Sequence, residues 1–398
     1  MNYKPLFLCG TARGGTNLVK AALGVNNDIV LESEPFLPIY ISLRDKIIKD
    51  NDNPSLSYIK PGSPLDEYYY LDAKLTAMEA IQNSSLNVDF DNLENQSLRS
   101  KITKRMNDYV PHLINNIDLI AGNNYCEIFD SALECINLSH NINSSKWLGW
   151  LDNWVIEFFP LLAKYYNNAH FIVIFRDVRG AIASMFSRAD KNFKAPSTIS
   201  FLRCWRKQVA FSAMMSESNL FNKRISFIKY ENLVSDPEKE IAQLCSDLNI
   251  KYSSDMIDTK NFVGLGTNIK QWVPNSGYVD VPRTGIFNGS IERWRETLDE
   301  TMISFIEFIA GPELKYLGYD LVNRDNYSKP KKRFYNIILE ENNNSLGWRT
   351  DNNDAALDFS FEILRHFCLA NNLDDLNIIK RFFLFPKIYN DLKGKKLF

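Results

Sequence analysis

The chain of 398 residues has no Cys-x-x-Cys pair; its six cysteines, Cys9, Cys126, Cys135, Cys204, Cys245 and Cys368, are dispersed. Most sit in apolar stretches and read as buried, reduced thiols, not as a disulfide framework. Histidine is scarce. His112, His140, His170 and His366 show no zinc spacing, and no metal is expected. No run of about 18 apolar residues exists to span a membrane. The first apolar run is too short for a signal peptide and leads straight into glycines, so a soluble cytoplasmic protein is expected. A basic excess is absent too. With 46 Lys and Arg against 48 Asp and Glu, the formal net charge of −2 argues against bulk nucleic-acid binding. What remains is 45% hydrophobic and 24% charged, ample for one large globular core with or without a smaller appendage.

One further absence is local. The chain opens "PLFLCGTARGGTNLVKAAL" over 5–23. Residues 5–9 read as a buried strand, Gly10, Gly14 and Gly15 as a flexible loop, and Thr16 onward as a helix. Strand, glycine loop and helix together form a phosphate cradle of converging N–H groups at a helix N-terminus. Gly10 and Gly15 have the spacing of a nucleoside-triphosphatase P-loop, yet Thr16 and Asn17 stand where that motif has Lys and Ser or Thr. The lysine for the outer phosphates and the hydroxyl for magnesium are both missing.

Further along, apolar runs alternate with helical patterns. Strands are expected at 28–36, near 146–154, at 170–175 and at 224–230. Helices are expected over roughly 153–166, 178–188 and 199–219 and from Asp236-Pro237 onward, with much of 63–120 helical. Such alternation predicts an α/β fold of three layers, a mostly parallel sheet of about five strands with helices on both faces. Ligands then bind at the carboxyl ends of the strands. Residues 250–290 read as an irregular cover, followed by helices near Ser290 and 299–310. Residues 1–321 are expected to form the main domain. Residues 322–398 are expected to form a helical appendage packed through Leu357, Phe361, Leu364 and Cys368.

A second constellation begins where the 170–175 strand ends: "FRDVRGAIASMF" places Arg176 on the ligand rim and Ser184 eight residues later. A guanidinium offers two parallel donors to a phosphate and a hydroxyl adds a third. Taken alone, Arg176 could equally pair with Asp177 or Glu157. Two more segments follow, "YENLVSDP" over 230–237 and "WRETL" over 294–298.

Taken together, these segments resemble the sulfotransferases that use 3′-phosphoadenylyl sulfate (PAPS), over roughly 5–320 and in the right order. In that family the first loop, near Pro-Lys-Ser-Gly-Thr-Thr, holds the 5′-phosphosulfate; here Arg13, Gly14, Gly15, Thr16 and Asn17 occupy it. The resemblance also implies that Arg176 and Ser184 hold the 3′-phosphate. It makes Gly10 part of the cofactor loop, and Arg283, Ser290 and Arg293 nucleotide contacts in a late closing segment. The usual Arg-Asp-Pro-Arg-Asp reads "RDVRG", with Val178 and Gly180 as departures. Neither a histidine base nor a late Arg-Lys-Gly motif is evident, and "PRTG" over 282–285 is a loose echo.

The match is closer to carbohydrate-type and bacterial members, which often use a glutamate base. It implies sulfuryl transfer from PAPS to an acceptor hydroxyl or amine, with a glycan as the first expectation and PAP as product. The transferred group lacks the charge that calls for magnesium, so the loop can dispense with the missing lysine. Arg13 would stabilise the leaving group and Glu34 would be the general base, with Glu32 and His140 as rivals. Trp205, Trp272 and Trp294 are candidates for stacking on the nucleotide or for core packing. Arg188, Lys191 and Lys194 are expected near the acceptor mouth. Two competing readings are a P-loop nucleotide kinase with Asp177 on magnesium, and an inactive nucleotide-binding scaffold.

Overall fold

The computed structural model describes the chain apart from residues 1–2, 55, 57–58, 60, 64, 66–71, 90–91, 141–145, 188–197, 264–284, 287, 323–330, 344–354 and 394–398. Five strands form one sheet: β1 (Lys4–Gly10), β2 (Ile29–Ser33), β3 (Trp147–Leu151), β4 (His170–Phe175) and β5 (Ile225–Lys229). Their order is β2-β3-β1-β4-β5 and every pairing is parallel.

The helices are α1 (Thr16–Leu23), α2 (Leu37–Lys49), α3 (Asp72–Asn83), α4 (Asn92–Tyr109), α5 (Tyr125–Ser139), α6 (Phe159–Tyr165), α7 (Val178–Phe186) and α8 (Thr198–Ser216). They continue with α9 (Tyr230–Ser235), α10 (Pro237–Asp247), α11 (Trp294–Thr297), α12 (Glu300–Tyr316), α13 (Phe334–Asn343), α14 (Ala355–Ala370), α15 (Leu376–Phe382) and α16 (Pro386–Asp391).

The strands are apolar on both faces because helices cover both. Leu6, Leu8, Ile172 and Ile174 point into one core shared with Val19, Leu23, Leu233 and Leu244 of α1, α9 and α10. Phe7, Cys9, Phe171, Val173 and Phe175 point into the other, larger core, with α2, α4, α5, α6, α7, α8 and α12. Each such side chain, fully buried, contributes about 1.5–3 kcal/mol. Gly149 is required where β3 passes β1: a Cβ there would meet the Leu6 carbonyl oxygen.

Several sequence expectations change. The helix expected over 153–166 is broken. Trp154 takes a positive φ of 73°, a 3-10 turn spans Ile156–Phe158, and α6 then starts with Pro160 in its first turn, where the missing N–H costs nothing. α2, α5 and α9 are not anticipated by the sequence reading. Ser290 starts no helix; the helical turn α11 begins at Trp294.

The C-terminal helices are present, and α14 buries half of the expected stripe. Cys368 is buried and Phe361 packs against the core, but Leu357 and Leu364 are half-exposed, and Phe359, Glu362, Arg365 and His366 are buried as well. The buried face is polar because it meets charged partners. Arg206 of α8 binds both Glu362 oxygens (2.6 and 2.9 Å), Arg203 pairs with Asp358 (2.8 Å), and Arg365 pairs with Glu313 of α12. Phe359 meanwhile packs among Phe305, Phe308 and Phe334. Among the described residues, no helix is long and apolar enough to cross a membrane.

Candidate functional site

With all strands parallel, the loops after β1, β2, β3 and β4 leave from one rim. Three of those exits bend sharply: Arg13 (φ 63°), Glu34 (φ 51°) and Trp154 (φ 73°) are non-glycine residues at positive φ. Such conformations cost free energy and persist where the surroundings enforce them.

The β1 exit ends on Gly15 at φ 98°, which caps α1. A Cβ on Gly15 would come within 2.5 Å of the Tyr230 ring, so only glycine fits. Leu18 N–H already bonds to Gly15 O, whereas the amides of Thr16 and Asn17 have no acceptor within the helix. Together with the positive end of α1 they offer an anion site. Thr11 Oγ1 and Asn17 Oδ1 lie buried beside it without a hydrogen-bond partner, as polar atoms do where a polar ligand completes the site.

The two segments expected to hold phosphates meet directly. Arg13 Nε donates to Ser184 Oγ (2.9 Å), and Arg176 Nη1 donates to the Arg13 carbonyl (2.9 Å). The Arg176 guanidinium lies over Tyr230, 4.4 Å from the ring centroid, and Nη2 donates to Ser290 O (3.3 Å). Ser290 Oγ shares a 2.7 Å hydrogen bond with Tyr230 OH. Thus Gly15, Arg13, Arg176, Ser184 and Ser290 form one cluster with Tyr230 at its centre. Arg293 is half-buried at the start of α11. Arg283, Trp272, Arg188, Lys191 and Lys194 lie outside the described residues.

Arg176 pairs with neither Asp177 nor Glu157. Asp177 is taken by Arg179, which also binds Glu307 (2.6 Å) and stacks on Trp294 (4.1 Å). Glu157 is taken by Lys207 (2.7 Å). Trp205 Nε1 donates to Arg176 O (3.0 Å), and both Trp205 and Trp294 are buried; they hold the β4 exit in place and do not offer a face to a ligand.

At the β2 exit, Glu34 continues the ladder with its N–H on Leu151 O (2.8 Å), then turns. Arg105 of α4 grips it twice, Nη2 to Oε2 (2.8 Å) and Nε to the carbonyl (2.5 Å), and Asn153 Nδ2 donates to Oε1 (2.7 Å). Burial raises the Glu34 pKa above the ordinary carboxylate value, against the opposing pull of Arg105 and Asn153. Nearby Asp152 is fully buried, and burial pushes its pKa well up against the opposing pull of Arg105. Arg105, Asn153 and Asp152 carry no signal in the sequence, because each lies in an unremarkable helix or strand end.

The rivals Glu32 and His140 bind each other instead. Glu32 Oε1 sits 2.5 Å from His140 Nε2 and 2.8 Å from His112 Nε2. Burial alone would raise the Glu32 pKa, but the two imidazole hydrogen bonds outweigh it and hold it well below the carboxylate range. A carboxylate so engaged is a poor proton acceptor.

A parallel α/β sheet with a glycine loop at a helix N-terminus and an arginine–serine pair beside it is an arrangement suited to holding an anionic ligand. The sulfotransferase family model matches residues 5–254, well over half the chain, and the chain belongs to that family. Protein-tyrosine sulfotransferase 1 of Danio rerio is 26% identical over 212 residues, covering 51% of this chain and 58% of the relative, so the chain spans little over half that protein's length. The sulfotransferase domain from the curacin biosynthetic pathway is 13% identical and covers 80% of this chain and 99% of that one, with a TM-score of 0.43. Retinol dehydratase solved with androsterone and inactive cofactor PAP is 13% identical over 80% of this chain and 83% of its own, with a TM-score of 0.33.

Proposed function

We propose that the chain transfers the sulfuryl group of PAPS to an acceptor hydroxyl. Family membership supports the reaction class, and the joined Arg13–Ser184–Arg176 cluster at the N-terminus of α1 is the observation that carries the co-substrate. The residues suit a phosphosulfate: free first-turn amides, a guanidinium, and no lysine or hydroxyl placed for a magnesium triphosphate. In this reading the acceptor oxygen attacks sulfur in line as Glu34 removes its proton. The S–O bond to the bridging oxygen breaks, and PAP leaves with the electron pair. Arg13, always protonated, stabilises that charge electrostatically. Arg105 and Asn153 aim the Glu34 carboxylate, and burial raises its proton affinity above that of an ordinary glutamate.

For the acceptor, the tyrosine sulfotransferase relative favours a phenolic hydroxyl of a tyrosyl side chain over the glycan hydroxyl expected from the sequence. A phenol, with an ordinary pKa near 10, also needs less from a carboxylate base than a sugar hydroxyl does. Transfer of labelled sulfate from PAPS to a panel of tyrosyl peptides and glycans tests this, after thermal stabilisation by PAP, ADP and ATP with magnesium. A ligand at 100 times its Kd adds about 2.7 kcal/mol. Stabilisation by magnesium ATP and not by PAP would return the kinase reading; PAP binding with no transfer to any acceptor would favour a scaffold.

A further inference from the structure

Glu32 stands near the end of the sheet-edge strand β2 and is 4% exposed. A carboxylate this buried needs compensation, and it comes from two residues far away in sequence: His112 in the 3-10 segment Pro111–Leu119 and His140 at the C-cap of α5. Both Nε2 atoms converge on the same oxygen, and the three ligand atoms all lie within 4.8 Å of one another. The imidazole rings meet edge to face at 5.3 Å. Their outer sides face water, the side chains being 49% and 35% exposed.

From this convergence we propose that Glu32, His112 and His140 bind a divalent transition-metal ion of the Zn2+ type. Two imidazole nitrogens and one carboxylate oxygen are a borderline donor set, suited to Zn2+ or Co2+ and poorly suited to Mg2+ or Ca2+. Three protein ligands leave the fourth tetrahedral position to water, on the solvent side where the rings are exposed. The C-terminus of the fifteen-residue α5 adds a negative dipole end beside His140, which favours a cation. With bonds of about 2.0–2.1 Å, a tetrahedral ion spaces its ligand atoms by roughly 3.3 Å. Glu32 Oε1 lies at hydrogen-bond distance from each ring, 2.8 and 2.5 Å, so each half-exposed ring must move outward from it by less than about 1 Å.

One nearby charge opposes the ion. Lys20 on α1 interacts electrostatically with both Glu32 and His112. The site would therefore be weaker than the same ligands alone, and removal of that ammonium should strengthen it. The ion's role is to pin the 3-10 segment and the end of α5 to the edge strand. It takes no part in sulfuryl transfer, because Glu34 and the phosphate cluster use none of these residues. The inference stands whether or not the proposed reaction is correct.

The test is a titration of the full chain, free of any polyhistidine tag and stripped of metal, with Co2+ alone and then with Zn2+ in competition. One equivalent of Co2+ should bind with the visible absorption of a tetrahedral ion and be displaced by Zn2+. His112→Gln and His140→Gln should each weaken binding at least tenfold, and Lys20→Gln should tighten it severalfold. Circular dichroism checks that the variants fold. The proposal is overturned if the wild type takes up no stoichiometric Co2+, or if the double histidine variant binds it as well as the wild type.

Discussion

Arg13 and Ser184, 171 positions apart, are joined by a 2.9 Å hydrogen bond from Nε to Oγ. The bond fuses the first phosphate loop with the arginine–serine motif after β4. It also fixes the guanidinium, already at a strained positive φ, at the mouth of α1. Arg176 completes the arrangement by holding the Arg13 carbonyl, so the backbone and the side chain of Arg13 are each tied to α7 or its approach.

If Arg13 stabilises a leaving oxygen, Arg13→Ala should lower kcat by about 10²–10³, the effect of removing one preorganised donor. Ser184→Ala should act mainly on nucleotide affinity, by about 10- to 150-fold, since one hydrogen bond to a charged group is worth about 1.5–3 kcal/mol. Steady-state kinetics with PAP as competitive inhibitor separates the two. Equal losses of kcat in both variants would count against the division of roles.

Glu34→Gln should keep PAP affinity and reduce turnover by about 10²–10⁴, the range for loss of a general base. Only the ionised carboxylate accepts a proton, so the rate should fall as pH drops through the Glu34 pKa. Because burial raises that pKa, the acid limb should lie above the position of an ordinary glutamate. Arg105→Ala removes a charge that lowers it, so the limb should move to higher pH. An unshifted kcat–pH profile in Arg105→Ala would show that the titrating group is elsewhere.

Stability should weaken in acid through His170. Its Nε2 lies 2.8 Å from Ser226 Oγ, and that hydroxyl donates to Asp247 (2.6 Å), so the imidazole is the donor of the first bond. Burial pulls its pKa down to about 4, and His366, also buried, falls to about 3. Between the ordinary value of about 6.5 and these values the unfolded chain binds protons that the folded chain does not. Stability is full above the ordinary value and is lost as pH falls toward 4. His170 accounts for about 3 kcal/mol of that loss. Chemical denaturation from pH 7 to 4 should show a shallower decline in His170→Gln, and an unchanged slope would refute the assignment.

The α8–α14 contact includes a fully buried ion pair, Arg206 with Glu362. Glu362→Ala should destabilise the chain by about 3–5 kcal/mol, because Arg206 is left charged and buried. Replacing both partners, Arg206→Met with Glu362→Leu, should recover most of that loss. Thermal unfolding of the three variants measures it. A double variant as unstable as the single one would mean that the surrounding packing, and not the stranded charge, carries the cost.

The strand–glycine–helix opening, the 170–175 strand with Arg176 at its end, Ser184 at plus eight and the Asp236–Pro237 helix start are legible in the sequence. Each is set by residues within a few positions of one another: periodicity, glycine at a tight turn, a cap before proline. Asp236 does cap α10, accepting from Lys239 N–H (3.2 Å). The partners of those residues are decided elsewhere. Arg105 reaches Glu34 across 71 positions and Asn153 across 119, and His112 and His140 meet on Glu32 across 80 and 108. Those meetings depend on the strand order β2-β3-β1-β4-β5, which puts the ends of β1, β2 and β3 side by side. Likewise the buried face of α14 follows the charges on α8 and α12 as well as part of its own apolar stripe. Local sequence thus determined where an anion can be cradled. Only the packing of the sheet and its helices decided that Glu32 meets two imidazoles while Glu34 meets a guanidinium and an amide, and that the first carboxyl's pKa falls while the second's rises, because burial and hydrogen-bond partners, set at long range, fix a carboxylate's proton affinity.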